Sequence, residues 1–140
     1  MNLQKVKLDH LNLTVDSFRA SVEWYGAMFG FEVVEEGIDE DERPWGVLRS
    51  GDSMLCIYED ETRKMLPKGH PDADGLHRIY HFGLRITDRD HLEAMLRERE
   101  IPTFHGSPVH YAHSTSWYVK DPTGHMIEVV LWNGDSVAFG

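Results

Sequence analysis

The sequence is poor in the features that direct a protein to an oxidising compartment, a membrane or a polyanion. Its single cysteine, Cys56, allows no internal disulfide and no cysteine-rich zinc module. No apolar run approaches membrane-spanning length, and the N-terminal residues lack the apolar segment of a secretion signal. Lysine and arginine number 14 against 24 aspartates and glutamates, and the net charge of −10 argues against nucleic acid and anionic lipid as partners. These absences predict a soluble cytoplasmic protein that binds neither a nucleic acid nor a membrane.

The clearest local signal lies at residues 116–132, which are predicted to form a β-hairpin. Residues 121–124, Asp-Pro-Thr-Gly, carry Asp, Pro and Gly at the positions where a type I turn favours them. Gly124 can also adopt the left-handed conformation that completes a three-residue hairpin loop. This loop places Tyr118 opposite Glu128, with both side chains on one face of the sheet.

The predicted surroundings of Glu128 raise the question of its partner. Met126, Val130 and Trp132 share its face of the strand. Because an unpaired carboxylate is costly to bury among apolar side chains, Glu128 requires an ion pair, hydrogen bonds or a metal ion. The hairpin alone leaves these three possibilities open.

The rest of the chain has the pattern of two copies of one unit. Sequence periodicity and capping signals predict, in the first half, a strand at 6–15, a helix begun by Asp16 or Ser17 and ended by Gly30, and strands at 31–34, 45–49 and 54–58. The acidic run at 35–42 is predicted to be a solvated loop. In the second half, a strand at 79–87 and a helix at 88–99 precede the hairpin.

These elements predict an α+β fold in a single domain, residues 1–140. It consists of a first βαβββ module at 5–59, a connector at 60–77 and a second module at 78–133. His10 and His81 stand at equivalent positions, early in the first strand of each module. Two curved half-sheets facing each other would form a cupped mixed sheet, which is a natural pocket for a small molecule.

Four motifs in this order point to a known family. They are Asp-His-Leu-Asn-Leu-Thr-Val at 9–15, Trp-Tyr-Gly-Ala-Met-Phe-Gly-Phe at 24–31, His-Phe-Gly-Leu-Arg-Ile at 81–86 and Tyr-Val-Lys-Asp-Pro-Thr-Gly-His-Met-Ile-Glu at 118–128. On these motifs the chain resembles the vicinal oxygen chelate superfamily, which includes glyoxalase I, fosfomycin resistance transferases, bleomycin resistance proteins and extradiol dioxygenases. The resemblance implies a homodimer that holds a divalent metal through His10, His81 and Glu128. Two imidazoles and one carboxylate leave metal positions open for water and substrate.

The resemblance leaves three functions open. The preferred one is a small extradiol-type dioxygenase that acts on a vicinal diol with iron(II), Tyr118 and the loop histidines His110 and His113 being catalytic. The second is a glyoxalase-like lyase or isomerase that stabilises an enediolate, for which Mn²⁺, Ni²⁺ or Zn²⁺ would serve. It is weakened because the fourth strand of the first module lacks the second glutamate of glyoxalase I. The third is a drug-binding protein of the bleomycin resistance kind. A fosfomycin transferase is disfavoured because no basic residue follows Glu128.

Four further side chains are predicted to contact the substrate. Asn12 and Arg85 share the strand faces of the two histidines, and Trp132 shares that of the glutamate. Cys56 or Met54 takes the inward position on the fourth strand of the first module, and Cys56 is the predicted contact.

Overall fold

The computed structural model describes residues 5–66 and 75–134. It divides the chain into two compact units, a first unit Met1–Lys64 and a second unit Met65–Gly140. Residues 67–74 of the predicted connector lie outside the described residues, as do the two ends of the predicted domain, 1–4 and 135–140.

The first unit packs one helix against a four-stranded sheet. Its elements are β1 (Leu11–Val15), α1 (Phe18–Phe29), β2 (Glu32–Ile38), β3 (Pro44–Ser50) and β4 (Ser53–Glu59). The strand order is β1-β4-β3-β2, with β1 parallel to β4 and the other pairs antiparallel. Its core, fully shielded from solvent, includes Val15, Tyr25, Leu48 and Ile57.

Helix α1 begins and ends as its capping residues predict. The Ser17 hydroxyl accepts a hydrogen bond from the backbone N–H of Ala20 at 3.2 Å. At the other end Gly30 takes the left-handed conformation, with φ 68°, and its N–H bonds back to the Gly26 carbonyl. Of the two predicted N-cap residues, Asp16 and Ser17, the cap is therefore Ser17.

The second unit repeats the first. Its elements are β5 (Phe82–Ile86), α2 (Arg89–Glu98), β6 (Phe104–His110), β7 (Ser114–Lys120) and β8 (Met126–Trp132). The strand order is β5-β8-β7-β6, and β5 is parallel to β8, as β1 is to β4. Buried residues of this core include Leu92, Leu96, Trp117, Ile127 and Val129. The α+β class and the two βαβββ modules are confirmed. Across residues 5–66 and 75–134 neither helix is long and apolar enough to cross a membrane.

Both leading strands are shorter than predicted. β1 begins at Leu11 rather than at residue 6, and β5 begins at Phe82 rather than at residue 79. The preceding apolar side chains are solvated, Val6 being 80% exposed and Ile79 76% exposed. Alternation of apolar and polar residues therefore overestimates a strand where no neighbouring strand supplies hydrogen bonds. As a result His10 and His81 each lie one residue ahead of their strand.

Strand β2 is longer than predicted. The acidic run was expected to be a loop from Glu35 onward, but β2 continues to Ile38 by pairing with β3. β2 is an edge strand, so its backbone bonds to one neighbour while its glutamates remain in water. The acidic composition of this segment thus indicates that its side chains are exposed to solvent, which is true of an edge strand as well as of a loop.

The predicted hairpin is confirmed in its turn and in its register. The Asp121 N–H bonds to the His125 carbonyl at 3.0 Å, and Gly124 takes a φ of 114°. Tyr118 pairs with Glu128, as the three-residue loop requires. The two strands carry the central side chains of the second unit.

One carboxylate holds this turn together, which leads to a first testable expectation. Asp121 Oδ1 accepts hydrogen bonds from the N–H groups of Thr123, Gly124 and His125 at 3.0, 2.9 and 2.9 Å, and Asp121 is only 4% exposed. Asp121→Ala should lower the free energy of unfolding by about 2 kcal/mol, because three N–H groups lose a charged acceptor. Urea denaturation would measure this loss. Asp121→Asn keeps an acceptor oxygen and should lose clearly less; equal losses in both variants would contradict the account.

Candidate active site

Glu128 finds its partners within the second unit. His81 Nε2 lies 3.0 Å from Glu128 Oε2, and the Ser116 hydroxyl donates a hydrogen bond to Oε1 at 2.7 Å. The side chains converge because Gly83 pairs with Glu128 on the neighbouring parallel strand, and Ser116 lies on β7, the other neighbour of β8. The Ser116 bond fixes one carboxylate oxygen and leaves the other directed at the imidazole.

The separation of His81 and Glu128 suits a pair of metal ligands. Imidazole nitrogen and carboxylate oxygen each bind a divalent metal at about 2.1 Å, so two such ligands at right angles stand about 3.0 Å apart. The observed Nε2 to Oε2 distance is 3.0 Å. The Ser116 hydroxyl then has the role of the outer partners that orient metal-bound carboxylates. The pair could therefore hold a divalent metal, and it equally fits a direct hydrogen bond.

His10, the third predicted ligand, belongs to the first unit. Its Nδ1 lies 2.7 Å from Asp9 Oδ2, and its side chain is 45% exposed. A carboxylate on Nδ1 favours the tautomer whose Nε2 lone pair is free to bind a metal. Among the described residues, no group of three or more His, Cys, Asp and Glu side chains is arranged to hold a metal ion. The set of three ligands stays a prediction.

Tyr118 is buried beside this pair with its hydroxyl engaged. Its ring meets the His81 ring edge-on at 5.8 Å between centroids, and its hydroxyl lies 2.9 Å from that of Tyr111. Burial raises the pKa of the Tyr118 hydroxyl far above its usual value, and the Tyr111 hydrogen bond and the Glu128 carboxylate raise this pKa further. Tyr118 is therefore a neutral phenol at physiological pH, able to donate a hydrogen bond.

A bulge in β6 brings a further histidine to this place. Phe104 pairs with Tyr118, and Val109 pairs with Ser116. Between these two pairs β6 contains several more residues than β7, and the extra residues form the bulge. His105 opens the bulge in a left-handed conformation, with φ 58°, which residues other than glycine seldom adopt. Its ring stands edge-on to that of Tyr118 at 5.0 Å. The bulge thus turns His105 toward the Tyr118 side chain.

The bulge is tied to the neighbouring strand by one hydroxyl. Ser107 Oγ donates a hydrogen bond to the Phe104 carbonyl and accepts one, at 2.9 Å, from the backbone N–H of Tyr118. The Ser107 hydroxyl thereby accepts the Tyr118 N–H hydrogen bond that a regular β6 backbone would otherwise accept. The main chain around His105 is fixed relative to β7.

These side chains line an open cavity of about 510 Å³ in the second unit. Its lining consists of Tyr80, His81, His105, Val109, Tyr111, Tyr118 and Met126. The lining is aromatic and apolar apart from imidazole and phenol groups. Such a site suits a small planar molecule with a few hydrogen-bonding groups.

The two loop histidines predicted to be catalytic lie outside this lining. His110 is exposed, and its Nδ1 is 3.2 Å from the Thr115 hydroxyl. His113 is also exposed, and its carbonyl accepts a hydrogen bond from the N–H of Asn133. His105, which no sequence motif indicated, is the histidine of this strand that lines the cavity. A Gly and a Pro close behind it, at 106 and 108, are the signal of a bulge that could have indicated it.

The four predicted substrate contacts form one pair in each unit. Asn12 on β1 is in register with Cys56 on β4. Burial raises the pKa of the half-buried Cys56 thiol, and the carboxylates of Asp9 and Glu35 raise it further, so this thiol stays protonated. In the second unit the Arg85 guanidinium lies over the Trp132 ring, 5.7 Å from its centroid. A role of these side chains in binding substrate stays a prediction.

Comparison with known proteins decides the family. The profile of the Glyoxalase/Bleomycin resistance protein/Dioxygenase superfamily matches residues 7–129. The chain belongs to this superfamily. No curated protein sequence matches the chain significantly. The predicted resemblance is confirmed, since the vicinal oxygen chelate proteins are the same group.

Solved structures of this superfamily share the fold at low sequence identity. A glyoxalase family protein from Enterococcus faecalis has a TM-score of 0.70 at 22% identity, over 89% of this chain and 96% of its own. A glyoxylase/bleomycin resistance protein/dioxygenase domain from Frankia sp. EAN1pec has a TM-score of 0.74 at 14% identity, over 95% and 96%. A mutant of the fosfomycin resistance protein FosX from Listeria monocytogenes, complexed with Mn(II) and 1S,2S-dihydroxypropylphosphonic acid, has a TM-score of 0.66 at 18% identity, over 94% of both chains. At these identities the likeness concerns the superfamily fold alone.

Proposed function

We propose that this member of the superfamily is a divalent-metal-dependent enzyme that binds a small molecule through two adjacent oxygen atoms. His81 and Glu128 would supply two metal ligands and His10 the third, from the same chain or from a second copy in the predicted homodimer. The supporting observation is the His81–Glu128 pair, whose nitrogen and oxygen atoms lie 3.0 Å apart where His81 lines the cavity. FosX, a protein of the same fold, carries Mn(II) together with a diol in its structure.

The side chains around the pair suggest how a substrate would be handled. A bound divalent metal acts as a Lewis acid that polarises the oxygens of a substrate. Tyr118, a neutral phenol, can donate a hydrogen bond to one of those oxygens. The His105 imidazole, which stands edge-on to the Tyr118 ring, is the candidate general base for the substrate.

Among the reactions of this superfamily, we propose extradiol-type ring cleavage of a catechol-like compound with molecular oxygen. The combination of a phenol and an imidazole beside His81 and Glu128 favours it. Within the described part of the chain, the cavity lining includes no lysine or arginine, so no cation would lie directly against a phosphonate held in the cavity. The protonated Cys56 and its neighbour Met54 offer no carboxylate base at the inward positions of β4 for a glyoxalase-type proton transfer.

Metal content and oxygen uptake together test this proposal. Protein purified without added metal should bind about one ion per chain when reloaded with iron(II) under nitrogen. With air and a panel of catechols, the iron form should consume oxygen in proportion to the diol lost. Reloading with Mn²⁺, Ni²⁺ and Zn²⁺ in parallel identifies the working metal.

The possible outcomes separate the candidate functions. Metal uptake without oxygen consumption, but with isomerisation or cleavage of a 2-oxoaldehyde adduct, would favour the lyase or isomerase. A wild-type protein that takes up no transition metal after careful reloading would overturn the enzyme proposal and leave a binding protein. The cytoplasmic location and the homodimer stay predictions.

A further inference from the structure

Arg85 lies on the same sheet face as the proposed metal ligands of the second unit. β5 runs parallel to β8, with Gly83 in register with Glu128 and Arg85 in register with Val130. Because side chains alternate along a strand, Arg85 projects on the face that carries Glu128. The two residues from Gly83 to Arg85 correspond to roughly 7 Å along the strand. A cation therefore stands a short distance from the site proposed to hold the metal.

This cation has an aromatic support and no acidic partner. The Arg85 guanidinium is exposed and lies 5.7 Å from the centroid of the Trp132 ring. Among the described residues no carboxylate forms an ion pair with it. Arg89 provides a contrast, since it lies over Trp117 at 5.5 Å and also pairs with Glu93 at 3.0 Å. Arg85 keeps its hydrogen-bond donors available to a ligand, although the chain as a whole has an excess of acidic residues.

The surface between the cation and the Glu128 pair is open. His81, Gly83 and Arg85 follow one another on the face of the sheet that carries Glu128, and Gly83, between the other two, has no side chain. A Cβ built on Gly83 would meet only the Glu128 carbonyl, at 3.8 Å. The Ser116 hydroxyl, on the far side of β8, is already committed to Glu128. A flat group bound at His81 and Glu128 can therefore extend over Gly83 toward Arg85, with the Val130 side chain beside it on β8.

We infer that Arg85, supported by Trp132, binds a carboxylate group of the substrate at a position about two residues further along the strand direction than Glu128. The inference rests on the proposed function, since it takes the two oxygens of the substrate to be bound at His81 and Glu128. It narrows the substrate class to vicinal diols that carry a carboxylate a few ångströms away from the diol. Guanidinium and carboxylate match as a fork of two parallel hydrogen bonds, and the flat aromatic support holds the guanidinium in place.

Two catechols that differ in one charge test this inference. The probes are 4-methylcatechol, which is uncharged at that position, and protocatechuate, which carries a carboxylate there. Their dissociation constants would be measured by calorimetry on the metal-loaded protein under nitrogen. Wild type should bind protocatechuate at least about 10-fold more tightly than 4-methylcatechol. In Arg85→Gln this ratio should fall to near unity.

A matched arginine provides the control. Arg89→Gln removes the same charge from the other arginine–tryptophan pair of the second unit, and it should keep the wild-type ratio. A similar loss of preference in Arg89→Gln would overturn the inference, because overall charge would then explain it. Equal binding of both catechols by wild type would also overturn it, while the proposed function would stand. Binding of neither catechol by the metal-loaded protein would overturn the proposed function, and the inference with it.

Discussion

The His81→Ala variant is expected to lose most of its affinity for a divalent metal. His81 and Glu128 supply a nitrogen and an oxygen 3.0 Å apart, and removal of the imidazole takes away the nitrogen ligand while the Ser116 hydroxyl still bonds to the carboxylate. Loss of an outer partner of a metal ligand already costs 10- to 100-fold in affinity, so loss of a ligand should cost more than about 100-fold. Metal content after dialysis, followed by competition with a chelator, would measure the change.

A second histidine of the same unit serves as the control for this experiment. His91 is an exposed residue of α2, and His91→Ala removes an imidazole without touching the Glu128 pair. It should bind metal like wild type. Circular dichroism would establish that both variants are folded, as expected because the His81 side chain is itself 37% exposed. Unchanged metal affinity in folded His81→Ala would exclude this residue from the metal site.

The Tyr118→Phe variant should keep its metal and lose most of its turnover. The phenyl ring stays in place between His81 and His105, so packing and metal ligands are undisturbed. The lost hydroxyl is the group proposed to donate a hydrogen bond to the substrate, and such acid–base contributions amount to about 100-fold in rate. Tyr111, 47% exposed, can bond to water once its partner is gone. Steady-state rates at equal metal content would give the effect.

Comparison with Tyr118→Leu separates the hydroxyl from the ring. If Tyr118 only packs in the cavity wall, Tyr118→Phe should be nearly as active as wild type while Tyr118→Leu should be unstable. If the hydroxyl acts on the substrate, both variants should be slow although Tyr118→Phe is as stable as wild type. Full turnover in Tyr118→Phe would assign the residue to packing.

Local signals in the sequence were sufficient for the turns and helix ends. The Asp-Pro-Thr-Gly turn fixes the pairing of Tyr118 with Glu128 because all of its determinants lie within a few residues. Ser17 and Gly30 mark the ends of α1 for the same reason. The part of the site that depends on this hairpin, the placement of Tyr118 beside Glu128, was therefore predictable.

Features that depend on a distant strand were not predictable in this way. β1 starts at Leu11 because its partner β4, some forty residues later in the chain, supplies hydrogen bonds only from that register onward. β2 persists through its glutamates because β3 continues beside it. His105 enters the cavity only because β6 bulges against β7, which alternation of side chains cannot reveal. The side chains that β6 presents to the cavity therefore follow from the bulge and not from the alternation of residues.

The Ser107 bridge has a consequence for the thermodynamics of binding. Its hydroxyl joins the Phe104 carbonyl to the Tyr118 N–H, so the segment that carries His105 is already ordered before any ligand arrives. Ordering a loop on binding costs conformational entropy, which is subtracted from the affinity. A ligand of this cavity meets a wall whose entropy was lost during folding. Discrimination among ligands then depends on how well they fit the preformed wall, and rigid planar molecules gain the most from it.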